Sequence, residues 1–209
     1  MQHITLDIGS TSLKTTNAAL ARQVLEQEAG LACTVELTSG ELVARNSICP
    51  PAIGQFWPEQ GGIYAGLMRG ENGGPDYHLI VAADLAGSIE DIVWGSASQE
   101  ESGATSSLDG LANTRALLDS PHDHPAAQWA AGLQIDGYHD FYLPARRELR
   151  LCWINVPELF EDAWYWSSTQ YSPSSAWIQG FDDGDQYYGH KGIEYRARAV
   201  RRVLTTSAL

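Results

Sequence analysis

From Ala163 to Val203 the chain reads AWYWSSTQYSPSSAWIQGFDDGDQYYGHKGIEYRARAVRRV. WYWSS, AWIQGF and EYRARAVRRV within it are each strand-like, and the segments between them are loops of small residues and polar aromatics. Such a stretch folds as short strands joined by turns. Composition agrees: 20 Gly and 7 Trp in 209 residues, with few Lys, read as short strands and shaped loops rather than a helical bundle. The length suits one large domain, or a main domain with a small one attached. A hydrophobic content of 44% sets disorder aside.

Upstream, IYAGLMRG (63–70) and YHLIVAAD (77–84) read as a strand pair around the turn ENGGPD, and IEDIVWGSA (89–97) as a continuation of that sheet. A helix is expected from about Asp109 or Gly110, and a second short helical run in HPAAQWAAGL (124–133) opens at Pro125. In DGYHDFYLPARRELRLCWIN (136–155), Leu143-Pro144 ends a short strand, and Glu148, Leu149, Leu151, Cys152 and Trp153 fit a helix packed by its apolar face. Residues 1–57 differ. ITLDI (4–8) and CTVELTSGELVARN (33–46) alternate like strands, with Ser39-Gly40 at a turn, and NAALARQVLEQEAG (17–30) has helical spacing. This strand–helix–strand unit is expected to be an accessory or oligomerisation segment, leaving 58–209 as the main domain.

The formal net charge of −13 repels phosphate backbones, so nucleic acid is not an expected partner. Arg196, Arg198, Arg201 and Arg202 crowd the C-terminus and read as a solvated strand face. The 3 cysteines, Cys33, Cys49 and Cys152, are an odd number, which argues against a complete disulfide framework; Cys152 reads as a buried thiol. His122 and His124 around Asp123 have the look of a metal pair, but a solvated loop before a helix is the simpler reading. No signal-peptide pattern opens the sequence and no window is long and apolar enough for a membrane span. Synthesis in the cytoplasm is expected, with later release or association with a virion.

GYHDFYLPARREL, WYWSSTQYSPSSAWIQGFDDG and YRARAVRRV resemble DUF1566, a domain family in a branch of the C-type-lectin and formylglycine-generating-enzyme fold. The matching positions are Leu143-Pro144, Glu148-Leu149, Trp166-Ser167-Ser168, Ala176-Trp177, Phe181-Asp182-Asp183-Gly184 and Arg198-Ala199-Val200-Arg201. GGIYAGLMRG and GPDYHLI resemble the phage and prophage members, so the resemblance covers about residues 61–203. It implies an α+β, C-type-lectin-like fold with two helices, near 110–120 and 145–154, around small twisted antiparallel sheets. The N- and C-terminal strands of the domain are expected to pair. Members include lectin-like proteins, tail-fibre tips and the variable proteins of diversity-generating retroelements, in which mutagenic copying at adenines rewrites Asn codons in the last loops. At the matching places this chain holds Ser174, Ser175, Ile178, Gly180, Asp182, Asp185, Tyr187, Tyr188, Gly189, His190, Gly192 and Ile193, all residue types within one or two such changes of an Asn codon.

The chemistry of 171–193 agrees with a binding surface. Tyr171, Trp177, Tyr187, Tyr188 and His190 among Ser, Gly and Asp resemble a paratope in composition: tyrosine supplies contact area with few rotors, and Ser and Gly supply adaptable polar contacts. Trp164, Trp166, Trp177 and Phe181 read as core, and Tyr187, Tyr188 and His190 as exposed. Asp182, Asp183, Asp185 and Glu194 offer hard oxygens for calcium, but a solvated acidic turn accounts for them, and no cofactor is expected. No G-x-S-x-G, H-E-x-x-H or P-loop is present, and the paired cysteines of the formylglycine-generating relatives are missing. The expected function is recognition of a partner protein or cell-surface ligand, not catalysis, by a homo-oligomer. The alternatives are a structural particle component without a recognition site and, more weakly, a carbohydrate-processing enzyme.

Overall fold

A computed structural model describes residues 4–8, 11–15, 34–38, 41–45, 50–83 and 85–205. The chain divides into two compact units, Met1–Cys49 with Ala208–Leu209, and Pro50–Ser207. In the first, β1 (Ile4–Ile8) pairs antiparallel with β2 (Thr11–Thr15), and β3 (Thr34–Thr38) with β4 (Glu41–Arg45). β1, β3 and β4 fall within the segments expected as strands; β2 was not expected. The anticipated helix at 17–30, the Ser39-Gly40 turn, Cys33 and Cys49 lie outside the described residues.

The second unit is mixed α+β. It contains β5 (Phe56–Trp57), β6 (Gly62–Met68), β7 (Tyr77–Ala82), β8 (Ser88–Val93), α1 (Gly110–Leu118), α2 (Pro125–Ala131) and α3 (Arg146–Asn155). Then follow β9 (Trp164–Ser172), β10 (Ser175–Gly180), β11 (Gln186–His190), β12 (Glu194–Arg198) and β13 (Val200–Leu204). One sheet has the order β11-β10-β9-β12-β8, the other β13-β7-β6-β5. All pairings are antiparallel except β12 with β9, which meet in parallel at Arg196 and Tyr165. No described helix is long and apolar enough to cross a membrane.

Several expectations are corrected. The unit has three helices, not two, because the run opened by Pro125 forms a helix of its own. β8 does not continue the β6–β7 sheet; it pairs with β12 in the other. EYRARAVRRV is two strands, since the chain changes sheets at Ala199, whose N–H donates to Gly87 O (2.9 Å) and whose carbonyl accepts from Ala82 N (3.1 Å). The first and last strands of the unit do not pair: β5 lies on β6 and β13 on β7, at opposite edges of one sheet. Trp57 of β5 is buried, so residues before the expected boundary at 57 belong to this unit.

WYWSS explains where the core sits. Successive strand residues point to opposite faces, and here both faces are covered. Trp166 lies in a cluster with Trp94, Leu117 and Ile178, while Tyr165 lies in another with Leu79, Tyr142, Leu149 and Phe181. β9, third of five strands, is therefore buried on both sides. Two indoles tie its surroundings together: Trp166 Nε1 donates to Ile92 O (2.9 Å), and Trp94 Nε1 to Ser167 O (2.8 Å).

The C-terminal arginines are not a solvated face. Arg198 is buried, donating to Leu159 O and Ala82 O, both at 2.7 Å, and Arg201 grips Asp140 through two hydrogen bonds of 2.7 and 2.9 Å. Arg202 pairs with Asp109 at 3.0 Å; Arg196 makes a looser contact with Glu90, at 3.6 Å. Carbonyls in the crossover between sheets need donors, and arginine carries five on one planar group.

Glu148 starts α3 as more than a charge near a helix dipole. It is fully buried, and its Oε2 accepts from Ala145 N at 2.6 Å, closing the helix N-terminus. Its Oε1 lies 2.8 Å from the Tyr142 hydroxyl and 2.7 Å from that of Tyr77. Tyr77 has one hydroxyl proton and a second acceptor, Leu108 O, at 2.8 Å. When that proton goes to Leu108, a protonated Glu148 donates to Tyr77 in turn. Burial outweighs these hydrogen bonds and lifts the Glu148 pKa from 4.5 to about 7. A raised acid pKa means the native state holds a proton that the unfolded chain has lost. This group's contribution to stability is therefore full below about pH 4.5 and falls as pH rises to about 7, by on the order of 3 kcal/mol. Urea unfolding of Glu148→Gln, which cannot ionise, should show a shallower fall over that window than the parent. Equal slopes would contradict the assignment.

Candidate functional site

The β10–β11 hairpin forms one edge of the five-stranded sheet, and β11 is the outermost strand. The register sets Trp177 opposite Tyr188, Ser175 opposite His190 and Ile178 opposite Tyr187. Directly opposed residues share a face, so Trp177 and Tyr188 lie together on the face away from Trp166, which is paired with Ile178.

Around that pair the aromatics form an ordered group. Tyr171 stacks on Tyr188 at 4.2 Å and 10°, and Tyr187 on Tyr188 at 4.5 Å and 13°. Trp177 stands edge-on to Tyr171, at 5.1 Å and 81°. The three tyrosines are nevertheless 49%, 38% and 57% exposed in the order Tyr171, Tyr188, Tyr187. Large apolar area ordered in this way and left in water is the kind of feature that marks interaction surfaces. A hydrogen bond with Tyr187, together with the adjacent Tyr187 and Tyr171 phenols, raises the Tyr188 pKa. The Tyr188 phenol stays a neutral donor.

Arg146, from the start of α3, completes the group. Its guanidinium lies 3.5 Å from the Trp177 ring centre, a cation–π contact. Gln186 of β11 holds it from both sides, accepting from Arg146 Nε at 2.9 Å and donating to Arg146 O at 2.8 Å.

The residues expected to bind ligand separate into three sets. Tyr171, Trp177, Tyr187 and Tyr188 form the aromatic group, with Ser174, Ser175, His190, Gly192 and Ile193 at the neighbouring end of the hairpin, all exposed or half-exposed. Asp182 and Asp185 are exposed but sit on the turn at the other end. Ile178, Gly180 and Gly189 are buried and are corrected from surface to scaffold. Ile178 packs in the Trp166 cluster. A Cβ on Gly189 would lie 2.6 Å from Tyr195 Cε2 and 3.1 Å from Trp166 Cη2, so glycine is what lets the edge strand close over these rings. Of the four residues read as core, Trp166 and Phe181 are buried, while Trp164 and Trp177 are half-buried.

Lys191, between the exposed His190 and Gly192, was not singled out and is fully buried. Its ammonium donates to Gln99 O (2.8 Å) and Gln170 Oε1 (2.6 Å) and lies 4.6 Å from the Trp94 ring centre. Burial lowers its pKa to about 8. It anchors the loop that presents His190. The acidic turn is closed by Asp183, whose Oδ1 accepts from Asp185 N at 2.9 Å. Among the described residues no three His, Cys, Asp or Glu side chains are grouped to hold a metal. His124, read as part of a solvated loop, is fully buried, edge-on to Trp94 at 5.1 Å, and its Nε2 is 3.1 Å from Glu101 Oε1 but poorly aligned for a hydrogen bond. Burial lowers its pKa, so it stays neutral. Cys152 is buried, which pushes its thiol pKa up and leaves it inert.

The division between surface and scaffold is testable by melting. Tyr187→Ala and Tyr188→Ala should each alter stability by no more than about 0.5 kcal/mol. Trp166→Ala should cost about 3–5 kcal/mol and Ile178→Ala about 2–5 kcal/mol, and Gly189→Ala should also destabilise. Equal losses in the two groups would place the tyrosines in the core.

In comparisons with known proteins, the chain matches no family model and no curated protein.

Proposed function

We propose that this protein is a ligand-recognition module whose binding surface is the aromatic group of Tyr171, Trp177, Tyr187 and Tyr188, flanked by Ser174, Ser175, His190, Gly192 and Ile193. The observation that carries the reading is the parallel tyrosine stack: ordered, half in water, and backed by β9, which is buried from Tyr165 to Gln170. Stacked rings with few rotors bind at low entropic cost, and aromatic residues dominate binding hot spots. Arg146 over Trp177 adds a cation beside the rings.

The finer reading is a C-type-lectin-like fold of the DUF1566 branch, with a phage tail-fibre tip or a retroelement variable protein as its setting. In its support, positions quoted for the resemblance carry scaffold duties: Glu148 closes a helix, Trp166 and Ala176 are core, and Arg198 and Arg201 tie loops. Most of the positions within reach of adenine-directed change are exposed or half-exposed, and the exceptions are Ile178, Gly180 and Gly189. The target is a partner protein or cell-surface molecule. Display as a homo-oligomer would raise weak single-site binding through avidity.

The test is a binding screen against arrayed cell-surface proteins and glycans, with Tyr188→Ala and Tyr171→Ala as matched controls. Each variant should weaken the parent's binding about 30-fold, corresponding to about 2 kcal/mol, at unchanged melting temperature. Ligands bound equally by parent and variants would refute the surface. A reverse-transcriptase gene beside this one, with a near-copy of codons 165–202 differing at template adenines, would establish the variable-protein setting.

A further inference from the structure

A second surface adjoins the tyrosine group and shares Arg146 with it. Along α3, Arg147, Arg150, Leu151 and Ile154 recur at the three-and-four spacing of one helix face. They face the end of β6, where Leu67, Met68 and Arg69 complete an open groove of about 520 Å³. Arg146 and Gln186 line it too.

Three features make it more than a surface hollow. Four of the chain's 13 cationic residues line it in a protein of net charge −13, and no acidic residue does. Among the described residues no carboxylate is within ion-pair distance of Arg146, Arg147 or Arg150, and Arg69 meets only Asp76, at 3.3 Å. Leu67 and Ile154 are 49% and 60% exposed.

The groove thus offers both cationic and aliphatic side chains, with Arg150 beside Leu151 in the middle of α3. Arg146 and Arg147 sit at the positive end of the α3 dipole, where anions are favoured, and Leu151 and Ile154 follow toward its C-terminus. α3 has 10 residues, so the groove runs about 15 Å, the reach of four or five extended residues.

We propose that this groove binds an extended peptide segment of a partner protein, with adjacent acidic residues against Arg146, Arg147 and Arg69 and following aliphatic residues against Leu151, Ile154 and Leu67. Guanidinium forks pair with carboxylates in two-point contacts, and the exposed Leu67 and Ile154 offer aliphatic contact. The groove's openness along its length suits a chain rather than an isolated small anion. This inference does not rest on the tyrosine surface.

The experiment is calorimetric titration of the full chain with the amidated hexapeptide Glu-Glu-Asp-Leu-Leu-Ile. Three controls accompany it: Gln-Gln-Asn-Leu-Leu-Ile, inorganic sulfate and a sulfated oligosaccharide. Saturable binding of the acidic peptide is expected, at least tenfold tighter than its neutral counterpart and weakened by added salt. The double variant Arg69→Glu/Arg147→Glu changes two exposed side chains and should retain the parent's melting temperature while losing at least tenfold in affinity. Ile154→Ser should weaken the peptide and leave sulfate unaffected, whereas Tyr188→Ala should leave peptide binding intact. Absence of peptide binding, equal binding of the neutral peptide, or preference for the sulfated oligosaccharide would each overturn the proposal.

Discussion

The structure depends most on the burial of Trp166. Its indole fills the space between β8, β10, β11 and β12, donates to Ile92 O at 2.9 Å, and meets Tyr195 edge-on at 4.9 Å. Ile178 and the Cβ-less Gly189 close over it from the outer strands. The ring that anchors the core thus also supports the edge strand from behind. Tyr188 follows because it lies one residue from Gly189 and points to the other face. A buried indole with its N–H satisfied gives both packing area and a fixed orientation, and that combination holds an exposed aromatic group in place.

Elsewhere, buried polar groups do what the hydrophobic clusters cannot. Long connections cross the surface between two sheets, and their backbone groups need partners. Glu148 joins the start of α3 to Tyr77 and Tyr142; Arg198 and Arg201 collect carbonyls and a carboxylate near the sheet crossover; Lys191 fastens the last loop to Gln99 and Gln170. Each charge carries a desolvation cost offset by several hydrogen bonds. At Glu148 and Lys191 the offset is incomplete, because burial shifts both pKa values toward the neutral form.

Much of the local structure was legible in the sequence. Alternation marked most strands, Pro125 and the Asp109-Gly110 step marked two helices, and Leu143-Pro144 with Glu148 marked the third. Sheet membership was not legible. Nothing local in β8 says that it pairs with β12 rather than β7; nor does EYRARAVRRV reveal that it changes sheets at Ala199. The site was half legible. Tyr187-Tyr188 lacks apolar alternation, and both residues are exposed. Ile178 and Gly189 face inward because of the strand register, which only the partner strand determines. The C-terminal arginines read as solvated because charge is usually solvated; their partners, like those of the buried Lys191, lie far away in sequence. Arg146 reaches Trp177 from another element for the same reason.

The central claim is that the tyrosine stack is a preformed surface on a rigid edge strand, rather than a frayed strand whose rings meet by chance. Edge strands fray when little holds them from behind, and the free energy of that opening is measurable at individual amides. Native-state hydrogen exchange of the β11 amides that pair with β10 is the most direct test. The account predicts that they open with nearly the free energy of β9, in the global transition. Exchange at a small fraction of that free energy, with β9 still protected, would contradict it.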